Sequence, residues 1–125
     1  MANKIVLASR SPRRKEILEK LNLKFVIDPP EIDETPRVDE EPTKYVQRIA
    51  AAKADLVALR HDQKDLIIAA DTTVALNGEI FGQPQDIKHA RQMIQKLSGN
   101  THSVLTAVSV RWDGLSANGF DESKV

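Results

Sequence analysis

The run Leu66-Ile67-Ile68-Ala69-Ala70 narrows the possible folds of this chain more than any other stretch. It is apolar at every position, and a strand with no polar alternation leaves neither face for water. It therefore belongs at the centre of a sheet covered on both sides, in a chain of α/β class. Asp71 stands at its end, followed by Thr72-Thr73. Two readings of that aspartate are open. In open α/β sheets strand ends line the ligand crevice, whereas a short polar residue before threonines also caps turns.

A second strand signal opens the chain. Ile5-Val6-Leu7-Ala8 is a short apolar run, broken by Ser9-Arg10-Ser11 and then Pro12. Ile17, Leu18 and Leu21 follow at helical spacing, and Ser11 before Pro12 reads as an N-cap with proline in the first turn. Arg13, Arg14 and Lys15 crowd that turn, at the positive end of the helix dipole, where each cation is unfavourable by about 0.3–1 kcal/mol. Either they are solvated, or they meet an anion that the helix N-terminus also attracts, as in a phosphate cradle.

Any such anion site must be local, because eighteen basic residues balance eighteen acidic ones. No global field argues for nucleic acid or an anionic membrane. The chain lacks cysteine, which excludes a disulfide framework and thiol catalysis. No apolar run approaches the ~20 residues needed to span a bilayer, and no signal-peptide pattern precedes the first strand. A cytoplasmic protein is the expectation.

Between these strands the pattern is informative. Lys24 to Ile27 reads as a short strand, and Asp28 to Pro42 as an acidic loop holding four of the six prolines. Its carboxylates, Glu34 among them, are either a solvated surface or a site for a hard cation such as Mg²⁺. Pro42 opens a long helix with Tyr45, Ile49, Ala52, Leu56 and Leu59 as its expected buried stripe. Lys53 lies beside that stripe, as a snorkelling lysine would. Asn77-Gly78 predicts a two-residue hairpin turn. Asp86 should cap a helix burying Ile87, Ala90, Ile94 and Leu97, stopped by Gly99. Thr101 to Trp112 alternates, with Val104, Thr106, Val108, Val110 and Trp112 as its expected inward face. Asp113-Gly114 signals a further turn, but Leu115 to Val125 is polar and predicts no partner strand. Residues after Leu115 are expected to be disordered, leaving a strand edge open to association.

Five stretches in order resemble the Maf family, the septum-formation-inhibitor proteins. They are Leu7 to Leu18; Tyr45-Val46-Gln47-Arg48-Ile49-Ala50 with Lys53-Ala54; Ala70-Asp71-Thr72; Asn77-Gly78-Glu79 with Gly82-Gln83-Pro84; and Leu97 to His102 with Thr106. The resemblance implies a mixed, twisted sheet with flanking helices, like that of inosine triphosphate pyrophosphatases. It implies hydrolysis of a nucleoside triphosphate to the monophosphate and pyrophosphate, with a divalent cation (Mg²⁺ or Mn²⁺), often in a homodimer; from the balanced charge, no nucleic acid or membrane partner is expected.

Carried over by position, Asp71 matches the family's catalytic proton acceptor. Arg13 and Thr72 match positions tied to base selectivity. Ser9, Arg14, Glu34 and Lys53 match polar positions of the same pocket, Glu34 and Asp71 being the candidate metal ligands. Arginine at 13 with Asp71-Thr72 looks like the branch acting on dTTP and UTP. Two departures stand out. Gln83 replaces the family's usual lysine, and nothing after Trp112 is expected to match. The resemblance thus implies a pyrophosphatase domain over residues 1–112, its second lobe incomplete, with a divergent tail at 113–125 in a truncated or frame-shifted member. The alternatives are a catalytically impaired nucleotide-binding remnant and a regulatory protein linked to septum formation.

Overall fold

A computed structural model describes residues 3–81 and 86–125. The elements run β1 (Ile5–Ala8), α1 (Pro12–Lys20), β2 (Val26–Ile27), α2 (Pro42–Ala58), β3 (Leu66–Leu76), β4 (Glu79–Phe81), α3 (Ile87–Leu97), β5 (Ser103–Trp112) and β6 (Leu115–Lys124). All six strands form one mixed sheet in the order β2-β1-β3-β5-β6, with β4 also on β3. β1 lies parallel to β2 and β3, and the remaining pairings are antiparallel. The apolar run at 66–70 is therefore the first half of an eleven-residue central strand. Among the described residues no helix is long and apolar enough to cross a membrane.

β3 has different neighbours along its two edges. On one edge β5 pairs with it from Ile67 to Ala75. On the other, β1 pairs with Leu66 to Ala69 and β4 with Val74 to Leu76. Residues 70–73 lie between those two partners and are laddered on the β5 side alone. This notch is where the chain out of β1 arrives.

Helix α2 covers one face of the sheet. Val6, Ala8, Ile67 and Ala69 pack with Ala54 and Val57 in one cluster, and Ala75, Leu105 and Ala107 with Val46 and Ala50 in a second. The buried stripe of α2 is therefore Val46, Ala50, Ala54 and Val57, joined by Tyr45 and Ile49. Leu59, expected inside, is 84% exposed. Alanine at 50 and 54 lets the helix approach the sheet closely, so the smaller residues rather than the leucines mark the contact face.

Three further expectations are corrected. In β5 the face against α2 is Leu105, Ala107 and Ser109, while Val104, Thr106, Val108, Val110 and Trp112 look the other way. In α3, Asp86 does cap the helix by accepting the His89 N–H at 2.7 Å, yet no residue of the helix is buried; Ile87 and Ile94 are exposed. Gly82, Gln83 and Pro84 lie outside the described residues.

The third correction concerns residues 113–125, which form a strand in place of a disordered tail. Asp113 and Gly114 adopt positive φ (52° and 76°), the left-handed pair of a tight hairpin turn, as do Asn77 and Gly78. That turn aligns β6 with β5 over ten residue pairs, Ser103↔Lys124 through Trp112↔Leu115. The Ser109 hydroxyl donates to Asn118 Oδ1, and the Trp112 indole N–H to the Lys64 carbonyl. Every residue of β6 is exposed, so its polar composition reflects an edge strand and not a failure to pair. Asp121, Glu122 and Lys124 are the charges that keep such an edge from indiscriminate pairing.

These burial assignments have a direct test. Ile67→Ala empties a site 1% exposed and should cost about 2–5 kcal/mol in urea unfolding. Ile94→Ala, at a site 66% exposed, should stay within about 0.5 kcal/mol of the parent.

Candidate active site

The site is assembled at the notch in β3, from both faces of the sheet. Successive residues of a strand point to opposite faces, so Asp71 and Thr73 face α2 while Thr72 faces α1. Each face delivers one cation.

From the α1 side comes Arg14. Ser9, buried at the end of β1, accepts the Ser11 N–H (3.1 Å) on its hydroxyl, which turns the chain into the helix. Ser11 is the N-cap, accepting the Arg14 N–H at 3.4 Å, with Pro12 in the first turn. The Arg14 side chain then folds back, donating to Ser9 Oγ (3.3 Å) and Thr72 Oγ1 (2.8 Å). The Thr72 hydroxyl also shares a hydrogen bond with Thr106 (3.2 Å). Arg14 thus has hydroxyl partners and no ion pair among the described residues. Burial draws its pKa down from the usual arginine value, and the nearby Asp71 charge partly opposes that. A half-buried guanidinium held only by neutral oxygens retains its capacity for an anion.

From the α2 side comes Lys53. Its ammonium lies 3.2 Å from Asp71 Oδ1 and 3.3 Å from Glu34 Oε1, bridging the two carboxylates. The Thr73 hydroxyl donates to Asp71 Oδ2 at 3.2 Å. Burial raises the Asp71 pKa above the usual carboxylate value; Lys53 and the Thr73 hydroxyl pull it down, and Glu34 adds to the rise. Asp71 is therefore a stronger base than a surface aspartate, held next to a cation that favours its ionised form.

Of the residues singled out from sequence, Ser9, Arg14 and Thr72 meet on one face and Glu34, Lys53 and Asp71 on the other. Arg13 does not join them: it is exposed, without an ion pair or hydrogen bond among the described residues. Tyr45, Thr73 and Thr106 touch site residues and were not legible as such. Tyr45 read as part of a helix stripe, Thr106 as one position on the alternating face of a strand, and Thr73 as part of a turn after Asp71.

Glu34 and Asp71 converge on a single cation, and their oxygens suit Mg²⁺ or Mn²⁺. Among the described residues no group of three or more His, Cys, Asp or Glu is placed to hold a metal. The two carboxylates alone are a smaller donor set than that, and the cation they hold here is the Lys53 ammonium. An open groove of about 670 Å³ lies elsewhere, between β4 and α3, lined by Glu79, Phe81, His89, Met93 and Lys96 among others. None of the clustered groups lines it.

Asp71 also makes a stability prediction. A carboxyl whose pKa is higher folded than unfolded favours the fold below the unfolded value of 3.8, and loses that contribution as pH rises through the folded value. At pH 7 the buried charge is therefore a net cost. Asp71→Asn should unfold at or above the parent's temperature at pH 7, with the difference shrinking as the pH falls from the folded value of Asp71 towards 3.8 and gone below it.

The sequence family described as Maf-like protein matches residues 4–125, so the segment after Trp112 does match, contrary to the sequence-based expectation. A dTTP/UTP pyrophosphatase of Nitrosospira multiformis is 44% identical over 120 residues, covering 86% of this chain and 58% of the relative. A dTTP/UTP pyrophosphatase of Anaeromyxobacter dehalogenans strain 2CP-1 is 49% identical over 111 residues, covering 89% of this chain and 55% of the relative. The chain thus spans little more than half the length of these relatives. Among solved structures, a nucleoside-triphosphatase / dITP/XTP pyrophosphatase from Mycobacterium abscessus superimposes with a TM-score of 0.63 at 18% identity, over 97% of this chain and 72% of that one. The Ham1 protein of Staphylococcus aureus does so with a TM-score of 0.61 at 15% identity, over 98% and 70%. At that identity the likeness is one of fold.

Proposed function

Because the chain belongs to the Maf-like protein family, we propose that it hydrolyses nucleoside triphosphates of the dTTP and UTP kind to the monophosphate and pyrophosphate. The observation that carries this reading is the pairing of Arg14, which has hydroxyl partners only, with the Lys53–Asp71–Glu34 cluster across the same notch. One half is built for an anion and the other for a base and a cation.

In the proposed reaction water adds to phosphorus, one P–O bond of the α–β bridge breaks, and the electron pair leaves with pyrophosphate. Asp71 accepts the proton that the water gives up, and its raised pKa makes it the better acceptor. Arg14 and Lys53 donate to phosphate oxygens as negative charge builds on the leaving group. A divalent cation, Mg²⁺ or Mn²⁺, would be held by Glu34 and Asp71 and would neutralise phosphate charge as a Lewis acid. Ser9 keeps Arg14 in place. Thr72, fixed between Arg14 and Thr106, and Arg13, exposed on the first turn of α1, are proposed to discriminate the base. The proposed protein is a cytoplasmic homodimer, its association favoured by the half-open face that carries Val108 and Trp112.

Pyrophosphate release across a panel of nucleoside triphosphates with Mg²⁺ or Mn²⁺ tests the reading, and dTTP and UTP should be the fastest. Asp71→Asn should keep triphosphate affinity within a few-fold while turnover falls by ~10² or more. Arg14→Ala should weaken binding by at least ~1.5 kcal/mol, and Arg13→Ala by less, given its exposure. Binding without turnover in the parent chain would favour a nucleotide-binding module instead.

A further inference from the structure

The Tyr45–Arg48 stretch belongs to a motif that the proposed chemistry does not use. Between β2 and α2, residues 28–41 contain neither helix nor strand, yet this segment carries Glu34 to Lys53. An irregular segment must satisfy its backbone groups through side chains or water. Here two residues of α2 supply much of that. The Tyr45 hydroxyl donates to the Glu34 carbonyl at 2.6 Å, from a ring that is only 6% exposed. Arg48 donates from Nη2 to the Thr35 carbonyl at 3.3 Å.

The same guanidinium grips the far end of the segment. Arg48 Nε and Nη2 meet Glu40 Oε2 and Oε1 at 2.7 and 2.9 Å, a two-pronged pair. Glu40 Oε1 also accepts the Arg37 N–H (3.0 Å), and the Glu40 N–H returns to the Arg37 carbonyl (3.1 Å). Hydrogen bonding to Arg48 holds the Glu40 carboxyl down at about 2, so the pair stays ionised across the ordinary pH range. The Arg48 guanidinium in turn lies 5.6 Å from the Tyr45 ring centre, close enough for cation–π attraction. Ring, guanidinium and Glu40 therefore brace one another, and the backbone on either side of the Glu34–Thr35 peptide bond is bonded to that brace.

We infer that Tyr45 and Arg48 are positioning residues: they fix the backbone at 34–35 so that the Glu34 carboxylate reaches Lys53 and Asp71. Glu34 itself is exposed, and its side chain has Lys53 as its one ion-pair partner among the described residues. Without the brace an exposed glutamate on an irregular segment has many orientations and little reason to select this one. With it, the second carboxylate of the cation site is delivered in place. The metal arm of the inference rests on the proposed function; the ordering of the segment does not.

Backbone amide exchange and Mn²⁺ binding, measured on the full chain, separate the two. In Tyr45→Phe and Arg48→Met, the Thr35 and Glu40 amides should exchange at least ten-fold faster while β3 amides keep the parent's rates. Arg48→Lys, which keeps the charge but loses the fork, should fall between parent and Arg48→Met. Half-saturating Mn²⁺, read from free-ion electron paramagnetic resonance in the presence of dTTP, should rise at least five-fold in both variants. Glu34→Gln should do the same, and combining it with Tyr45→Phe should add nothing further. Unchanged exchange in both variants, a loosened segment with unchanged Mn²⁺ affinity, or additive losses in the combined variant would each overturn the inference. A parent chain that binds no Mn²⁺ would overturn the metal arm alone, and amide exchange would then decide the positioning role. A parent that binds Mn²⁺ and dTTP without releasing pyrophosphate would instead remove the proposed reaction and leave the positioning role standing.

Discussion

The unpaired edge of β3 is the constraint on which the rest of the structure turns. The strand spans eleven residues, whereas β1 and β4 together pair only with positions 66–69 and 74–76 on that side. A continuous neighbour would have sealed positions 70–73 inside a ladder. Because β1 ends at Ala8 and its chain turns away through Ser9, there is room for Arg14 to fold back on one face and Lys53 to reach across on the other. The antiparallel pairing with β5, from Ile67 to Ala75, carries the strand through the interruption. β3 thus opens on one of its two edges, and the polar groups collect there.

Much of this order was legible in local chemistry. Ser11-Pro12 and Asp86 mark helix starts, Asn77-Gly78 a hairpin turn, and the apolar run at 66–70 the central strand, because each depends on neighbours in sequence. What was lost was direction. Alternation along β5 separates two faces without saying which lies inward, and the valine-rich face was the natural choice. The helix instead packs on Leu105, Ala107 and Ser109, because close helix–sheet approach selects small side chains over apolar bulk. The same preference moved the α2 stripe onto Ala50 and Ala54. β6 was missed for a related reason: an edge strand with all residues exposed needs a turn and a partner, not apolar residues.

The candidate site divides in the same way. Asp71, at the end of a buried run, and the arginines on a helix N-terminus are anomalies visible in one dimension. Tyr45 and Arg48 are not, since a helical tyrosine and arginine are ordinary until the segment they hold is placed beside them. The two arginines show the limit most clearly. They are adjacent in sequence and alike in chemistry, yet a helix turns about a quarter of a circle per residue. Only Arg14, four residues before the buried Leu18, is carried inward.

Adjacency has the opposite value in β3, where Asp71 and Thr72 are consecutive and serve opposite faces of the sheet. Lys53 and Arg14 therefore act together as a parity check on the strand. Inserting or deleting one residue ahead of Asp71 would exchange the two side chains between faces, setting a carboxylate toward Arg14 and a hydroxyl toward Lys53. Only changes of two residues preserve the assignment, and those would shift it along the strand, out of the notch. The reading frame of this strand is thus specified by the charges above and below it as well as by its hydrogen bonds. Length variation in this family should accordingly collect in the turns and leave β3 untouched.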